Sequence, residues 1–174
     1  LVPELTQDRK IAAYKKANEV YTSRGWTNIH SMSVDTNNLS LMADMAADGD
    51  IGLRVYNSPD IKDAAALEKI LSFDGTKSDL IQTRAIKLYS DGALGSRGAA
   101  LLAPYDDDPE NTGLLLITKE RIMPILKDSL VKGVQVNTHA IGDRANRLLL
   151  DWYEEAFAAV PREERAIADP RWRV

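Results

Sequence analysis

The chain has 174 residues, 44% of them hydrophobic, with a formal net charge of −4 and no cysteine. That composition is enough for a core, and it excludes disulfides, thiolate metal sites and a cysteine nucleophile. No basic patch with interleaved aromatics argues for nucleic acid, and no apolar run approaches the roughly 20 residues a membrane span needs.

The chain opens LVPELTQDRK without a methionine and stops at DPRWRV. The expectation is a piece of a longer protein, its targeting segment, if any, upstream. A cytoplasmic location is expected.

Ile11, Tyr14, Ala17, Val20 and Tyr21 recur at helical spacing within 6–24. Thr6 can cap the start of that helix and Gly25 its end. WTNIHSMSV (26–34) reads as a strand, NNLSLMADMAAD as a helix closed by Gly49, and IGLRVYN (51–57) as a second strand. Ser58 then predicts a helix cap with Pro59 at the first helical position. The helix that follows carries Ile61, Ala64, Leu67, Ile70 and Leu71 on its apolar face.

TRAIKLYSD (83–91) is a third strand. A loop of about 92–117 follows, long enough to predict function or mobility. The helix over TKERIMPILKDSLVKG is expected to start late or kink at Pro124, which lacks an amide donor. GVQVNTHA is a fourth strand and 143–160 a helix with Ala145, Leu148, Leu149, Trp152, Ala156 and Ala159 on one face. DPRWRV begins a fifth strand. There is no internal repeat or linker.

Strand–helix alternation argues for an α/β fold with parallel strands and right-handed crossovers. Neither G-x-G-x-x-G nor a P-loop is present, which weakens the nucleotide-binding open sheets. Side-chain parity then separates two faces. Leu53 and Val55 oppose Arg54 and Tyr56; Ile86 and Leu88 oppose Lys87, Tyr89 and Asp91; Val134 and Val136 oppose Gln135, Asn137 and His139. The first strand is less clean, with Asn28, His30 and Met32 against Thr27, Ile29 and Ser31. A parallel sheet covered by helices on both sides would be apolar on both faces. One polar face per strand favours a β/α barrel whose polar residues gather at the C-terminal mouth. There His30, Tyr56, Asp91 and His139 would lie.

Each polar residue has a plain and a chemical reading. His139 is a hydrogen-bonded structural histidine or a ligand. Asp143 caps the helix behind it or steadies a ligand. Lys87, flanked by Ile86 and Leu88, is costly to bury unless it pairs with Asp91 or another acid. Otherwise it serves as a Schiff-base nucleophile or as a carbamylated metal ligand. His30 is ligand, base or packing. Arg97, in DGALGSRGAA, binds an anionic or polar substrate group or is solvated. Ser96 lacks the G-x-S-x-G context of a nucleophile elbow. DDDPEN lacks the glycine and terminal glutamate of a calcium loop.

IKLYSDGALGSRGAALLAPY with NTGLLL, and GVQVNTHAIGDRANRLLLD, resemble the amidohydrolase superfamily. Within it the chain is similar to the amidohydrolase-3 branch, which includes N-substituted formamide deformylase. LTQDRKIAAYKKANEVYTSRGWTNIHSMSVD is similar too, through its G-x-T-x-x-H strand. The resemblance covers nearly the whole chain. It implies a TIM-like barrel of which residues 1–174 are the central part, strands two to about six of eight, truncated at both ends. A complete barrel takes roughly 250 residues.

The resemblance implies hydrolysis of C–N bonds of amide type in a small molecule by metal-activated water, with one or two divalent ions, zinc by default. It makes Lys87, often carbamylated in this superfamily, and His139 metal ligands and catalytic residues. Asp91, Arg97, Asp143 and His30 become candidates for touching substrate or steadying a ligand. The H-x-H motif, the sixth-strand histidine and the eighth-strand aspartate are absent from the chain. Two ligands do not make a catalytic zinc site, so the chain alone is expected to be inactive. The alternatives are a non-catalytic binding module or a Schiff-base aldolase using Lys87. Expected partners are a small molecule and, through exposed sheet edges, a second copy.

Overall fold

The computed structural model describes residues 5–61, 64–72 and 78–174. The elements run α1 (Gln7–Thr22), β1 (Asn28–Val34), α2 (Leu39–Ala47), β2 (Arg54–Pro59), α3 (Ala64–Leu71), β3 (Ile81–Thr83), β4 (Ala85–Tyr89), α4 (Lys119–Lys132), β5 (Gln135–His139) and α5 (Asp143–Ala159).

All pairings between these strands are parallel: β1 with β2, β2 with β3, and β4 with β5. Asp60 at the end of β2 bridges Lys87 of β4, so β3 and β4 together occupy one position beside β2. The chain end then pairs with β5 through a parallel bridge between Asn137 and Arg173. Each strand thus lies beside its predecessor in sequence, without the reversal of order found in doubly wound sheets.

The apolar parity of the strands builds the core. Ile29, Val55 and Ile81 pack with Leu39, Met42 and Met45 of α2. Ile86, Leu88, Val134 and Val136 pack with Leu67 and Ile70 of α3, Ile122, Ile125 and Leu126 of α4, and Leu149, Trp152 and Tyr153 of α5. Thr138 shares that side; its hydroxyl meets the Tyr153 phenol at 2.7 Å. Burial pushes the Tyr153 phenol well above the usual tyrosine range, partly offset by the bond from Thr138.

Four local expectations change. Ser58 and Pro59 do not open a helix: they continue β2, opposite Met32 and Val34 of β1. Pro59 is the last residue of its strand, where a missing donor costs least. Residues 62–63, which the expected helix included, lie outside the described residues. The third strand divides at Arg84 into β3 and β4. Helix α4 runs unbroken from Lys119 through Pro124, held by buried Ile122, Met123, Ile125, Leu126 and Leu130. Helix α1 buries none of its residues. Thr6 caps it as expected, but only Ile11 and Tyr14 of its stripe pack on the core. Lys15–Asp50 (2.9 Å) and Asn18, which accepts from the Gly52 amide (2.9 Å), tie it down instead.

The long segment between β4 and α4 is cross-tied. Leu101 N donates to Thr112 O (2.8 Å) and Leu116 N to Ser90 O (2.9 Å). The Tyr105 hydroxyl donates to Ala99 O (2.9 Å). Among the described residues no helix is long and apolar enough to cross a membrane.

Candidate functional site

The face away from the helices is polar, and backbone register sets its layout. Asp60, Lys87, Asn137 and Arg173 stand side by side on successive strands. One step toward the C-terminal ends, Tyr89 pairs with His139. Lys87 and His139 therefore share one face on neighbouring strands, a diagonal step apart. The Tyr89 ring lies between their chemistries: Lys87 Nζ is 4.8 Å from its centroid and the His139 ring 5.6 Å. The Asn137 amide donates to Ser58 Oγ (2.9 Å), locking β5 to β2 from inside. The Tyr89 and Ser33 hydroxyls also meet across this face.

Lys87 is half-buried. Burial holds its ammonium below the usual lysine range, opposed by the Asp60 carboxylate. The acid beside Lys87 is thus Asp60, not Asp91. Parity could have found it had β2 not been expected to stop at Asn57: Tyr56, Ser58 and Asp60 follow each other on the polar side.

Asp91 is 1% exposed. Its Oδ2 accepts from Gly142 N (2.7 Å) and Ala100 N (3.0 Å), and its Oδ1 from Ile141 N (2.9 Å). His139 Nε2 lies 3.4 Å from Oδ1. That ring nitrogen is buried, and the 3.4 Å approach lacks the alignment of a hydrogen bond.

The other candidates stand elsewhere. Asp143 is the first residue of α5; Gly142 is the cap. The Asp143 carboxylate accepts from Leu102 N (2.9 Å) and Arg144 N (2.8 Å), tying the long segment to the helix start. Arg97 is exposed and makes a two-point ion pair with Asp107, at 3.1 and 2.7 Å. The acidic DDDPEN stretch thus has a partner. His30 is exposed, stacks on Tyr56 at 5.1 Å and meets Arg173 Nη1 at 3.1 Å. Burial raises the Tyr56 phenol, with Arg173 and Arg84 opposing. Arg173 was not singled out by sequence; only the docking of the last residues beside β5 brings it in.

Among the described residues no three of His, Cys, Asp and Glu are grouped to hold a metal ion. A cleft of about 740 Å³ opens at the opposite end of the strands, between Ile70, Ile81, Arg84, Lys132, Val134 and Ile167. It is remote from Lys87 and His139. Ligands of parallel α/β sheets gather at the C-terminal strand ends, so the chemistry is read there and not in that cleft.

A model of the amidohydrolase family, Amidohydro_3, matches residues 2–171. The chain belongs to this family. The amidohydrolase chain is 38% identical over 82 residues to Protein LONG AFTER FAR-RED 3 of Arabidopsis thaliana, covering 47% of this chain and 14% of that protein. It is 36% identical over 87 residues to Putative amidohydrolase YtcJ of Bacillus subtilis (strain 168), covering 50% and 16%. An uncharacterized metal-dependent hydrolase from Pyrococcus furiosus superposes with a TM-score of 0.76 at 29% identity, over 87% of this chain and 32% of that one. Its counterpart from Pyrococcus horikoshii OT3 gives 0.75 at 29% identity, over 87% and 31%. The amidohydrolase chain thus spans less than a third of each of these proteins.

Proposed function

We propose that this chain is the central part of a larger metal-dependent hydrolase that cleaves C–N bonds of amide type in a small molecule. The fold read for the whole is a β/α barrel, with strands two to about six present here. The sequential parallel order of the strands and their one polar face support that reading. The observation that carries the function is the polar face shared by Lys87 in β4 and His139 at the end of β5, one diagonal step apart on neighbouring strands.

The donor set fits part of a metal site. An imidazole and a lysine with a depressed ammonium are two donors, and catalysis needs three or more protein ligands. The others would come from outside the described residues. A divalent metal, zinc by default, supplies Lewis acidity and an activated water when bound.

Lys87 is suited to carbamylation because burial enlarges its neutral fraction. The neutral amine attacks carbon dioxide, an N–C bond forms, a proton leaves, and the carbamate offers two oxygens. His139 would offer one ring nitrogen. Arg97, spent on Asp107, and Asp143, spent on backbone amides, are left with supporting roles in loop geometry. The outer edges of β1 and of residues 172–174 have no strand partner among the described residues. The remaining barrel would pair there, and in the isolated chain a second copy would compete for the same edges.

The test is metal content and amide hydrolysis of the longer protein and of its Lys87→Ala and His139→Ala variants. Both should lose metal and activity, and the isolated 174-residue chain should not turn over. Metal and activity retained in both variants, or robust turnover by the isolated chain, would refute the reading. The depressed Lys87 amine also suits a Schiff base, which borohydride trapping of a carbonyl substrate on Lys87 would reveal.

A further inference from the structure

We propose that Asp91 is a positioning residue that holds His139 in its Nε2–H tautomer, leaving Nδ1 as the ring's only lone pair. The argument starts from the acceptor capacity of the carboxylate. Asp91 is 1% exposed and receives three backbone amides, from Ala100 and Gly142 on Oδ2 and from Ile141 on Oδ1. Three fixed N–H donors make acceptors of both carboxyl oxygens. A carboxylate has about four lone-pair sites, so one remains, on Oδ1.

His139 Nε2 lies 3.4 Å from that oxygen and has no hydrogen-bond partner. A neutral ring that turned its Nε2 lone pair toward that acceptor oxygen would meet repulsion, because both facing groups are buried. A ring that turns Nε2–H toward it is attracted, even off the ideal line. The acceptor oxygen therefore selects the tautomer, as hydrogen-bond partners do for ligating histidines generally.

Asp91 itself cannot drift. Its three amides come from the segment after β4 and the turn after β5, and those segments are in close contact: a Cβ added at Gly142 would overlap the Ala100 carbonyl. Strand end, long segment and helix start are thus drawn around one carboxylate beside the histidine. What the tautomer is for, presenting Nδ1 to a metal, rests on the function proposed above. The tautomer does not.

The chain has two histidines, His30 and His139. Long-range ¹H–¹⁵N spectra of the histidine-labelled chain, with His30→Gln for assignment and a pH at which the rings are neutral, read the tautomer directly. Wild type should give one locked form, with Nε2 protonated and Nδ1 bare. In Asp91→Asn the side-chain oxygen would serve Ala100 and Gly142 and its NH₂ would face the ring, leaving the Ile141 amide without its acceptor, so His139 should switch to Nδ1–H. Asp143→Asn, which loosens a neighbouring tie, should leave the tautomer alone. The Nδ1–H form in wild type, an exchange-averaged mixture, or an unchanged tautomer in folded Asp91→Asn overturns the proposal. If Asp91→Asn does not fold, the wild-type spectrum still decides. Zinc should then move the Nδ1 resonance. A zinc effect on Nε2 overturns the proposal, whereas no zinc effect counts against the metal reading and leaves the tautomer assignment standing.

Discussion

Arg173 Nη1 lies 3.1 Å from His30 Nδ1, although His30 is on β1 and Arg173 lies in the terminal segment beside β5, at opposite ends of the row formed by the β1–β2–β3 and β4–β5 sheets and the bridges between them. Four strand spacings separate them in pairing order. Laid flat, those spacings would put their backbones roughly 19 Å apart, more than the two side chains can bridge. The row of strands across the two sheets therefore curls strongly, with its polar face inside the curve. The chain has no cysteine, so His30→Cys/Arg173→Cys can be probed with a short bismaleimide. Intramolecular cross-linking should be efficient in the folded chain and vanish in denaturant. Failure to cross-link while folded would mean a flatter row of strands.

Trp172 is what docks the last residues. Its ring sits 4.9 Å from Tyr153 and 4.8 Å from Phe157, and its Nε1 donates to Val134 O at 3.2 Å. Trp172→Ala should cost about 2–3 kcal/mol, less than for a fully buried tryptophan, read as a lowered urea midpoint. It should also weaken the His30–Arg173 approach and so reduce the cross-link. A midpoint unchanged by the substitution would mean that the terminal strand contributes nothing to the fold.

Gly142 caps α5 where the backbone meets the Ala100 carbonyl. Its φ of −70° is open to any residue, so the demand for glycine is contact, not conformation. Gly142→Ala should destabilise by about 1–3 kcal/mol through forced backbone displacement. It should also disturb His139, because the Gly142 amide is one of the three on Asp91. Denaturant unfolding and the His139 resonances check both effects.

Lys87 makes stability depend on pH in a definite direction. Its ammonium is depressed in the fold, mainly by burial, with Asp60 opposing. In the unfolded chain it titrates near about 10.4. Between the two values the unfolded state binds more protons, so stability rises with pH there. Below that window the fold carries the full cost of the buried charge. Lys87→Met should therefore be more stable than wild type at neutral pH, with the gain shrinking as pH climbs toward the unfolded value. Urea unfolding of both chains across that range measures it. A gain that does not change with pH would assign the effect to packing alone.

Much of this protein is legible in the periodicity of short stretches. The order of strands and helices, the apolar parity of Ile86, Leu88, Val134 and Val136, and the polar parity of Lys87 and His139 are properties of short stretches. A two-residue repeat in a strand or a 3.6-residue repeat in a helix is written locally and survives folding unchanged. Other features needed partners distant in the chain. Ser58-Pro59 has the local signature of a helix start, but pairing with Met32 and Val34 makes it strand, and that brings Asp60 beside Lys87. Asp91 could have faced Lys87; three amides from two separate segments claim it first. Arg97 is taken by Asp107, and Arg173 reaches His30 only because the row of strands curls. A polar side chain satisfies whichever donor or acceptor the fold brings within about 3 Å. Side-chain parity within short stretches settles which faces can hold chemistry, whereas contacts between distant segments settle which polar groups are spent, as Arg97 is on Asp107, and set the His139 Nε2 beside the Asp91 carboxylate.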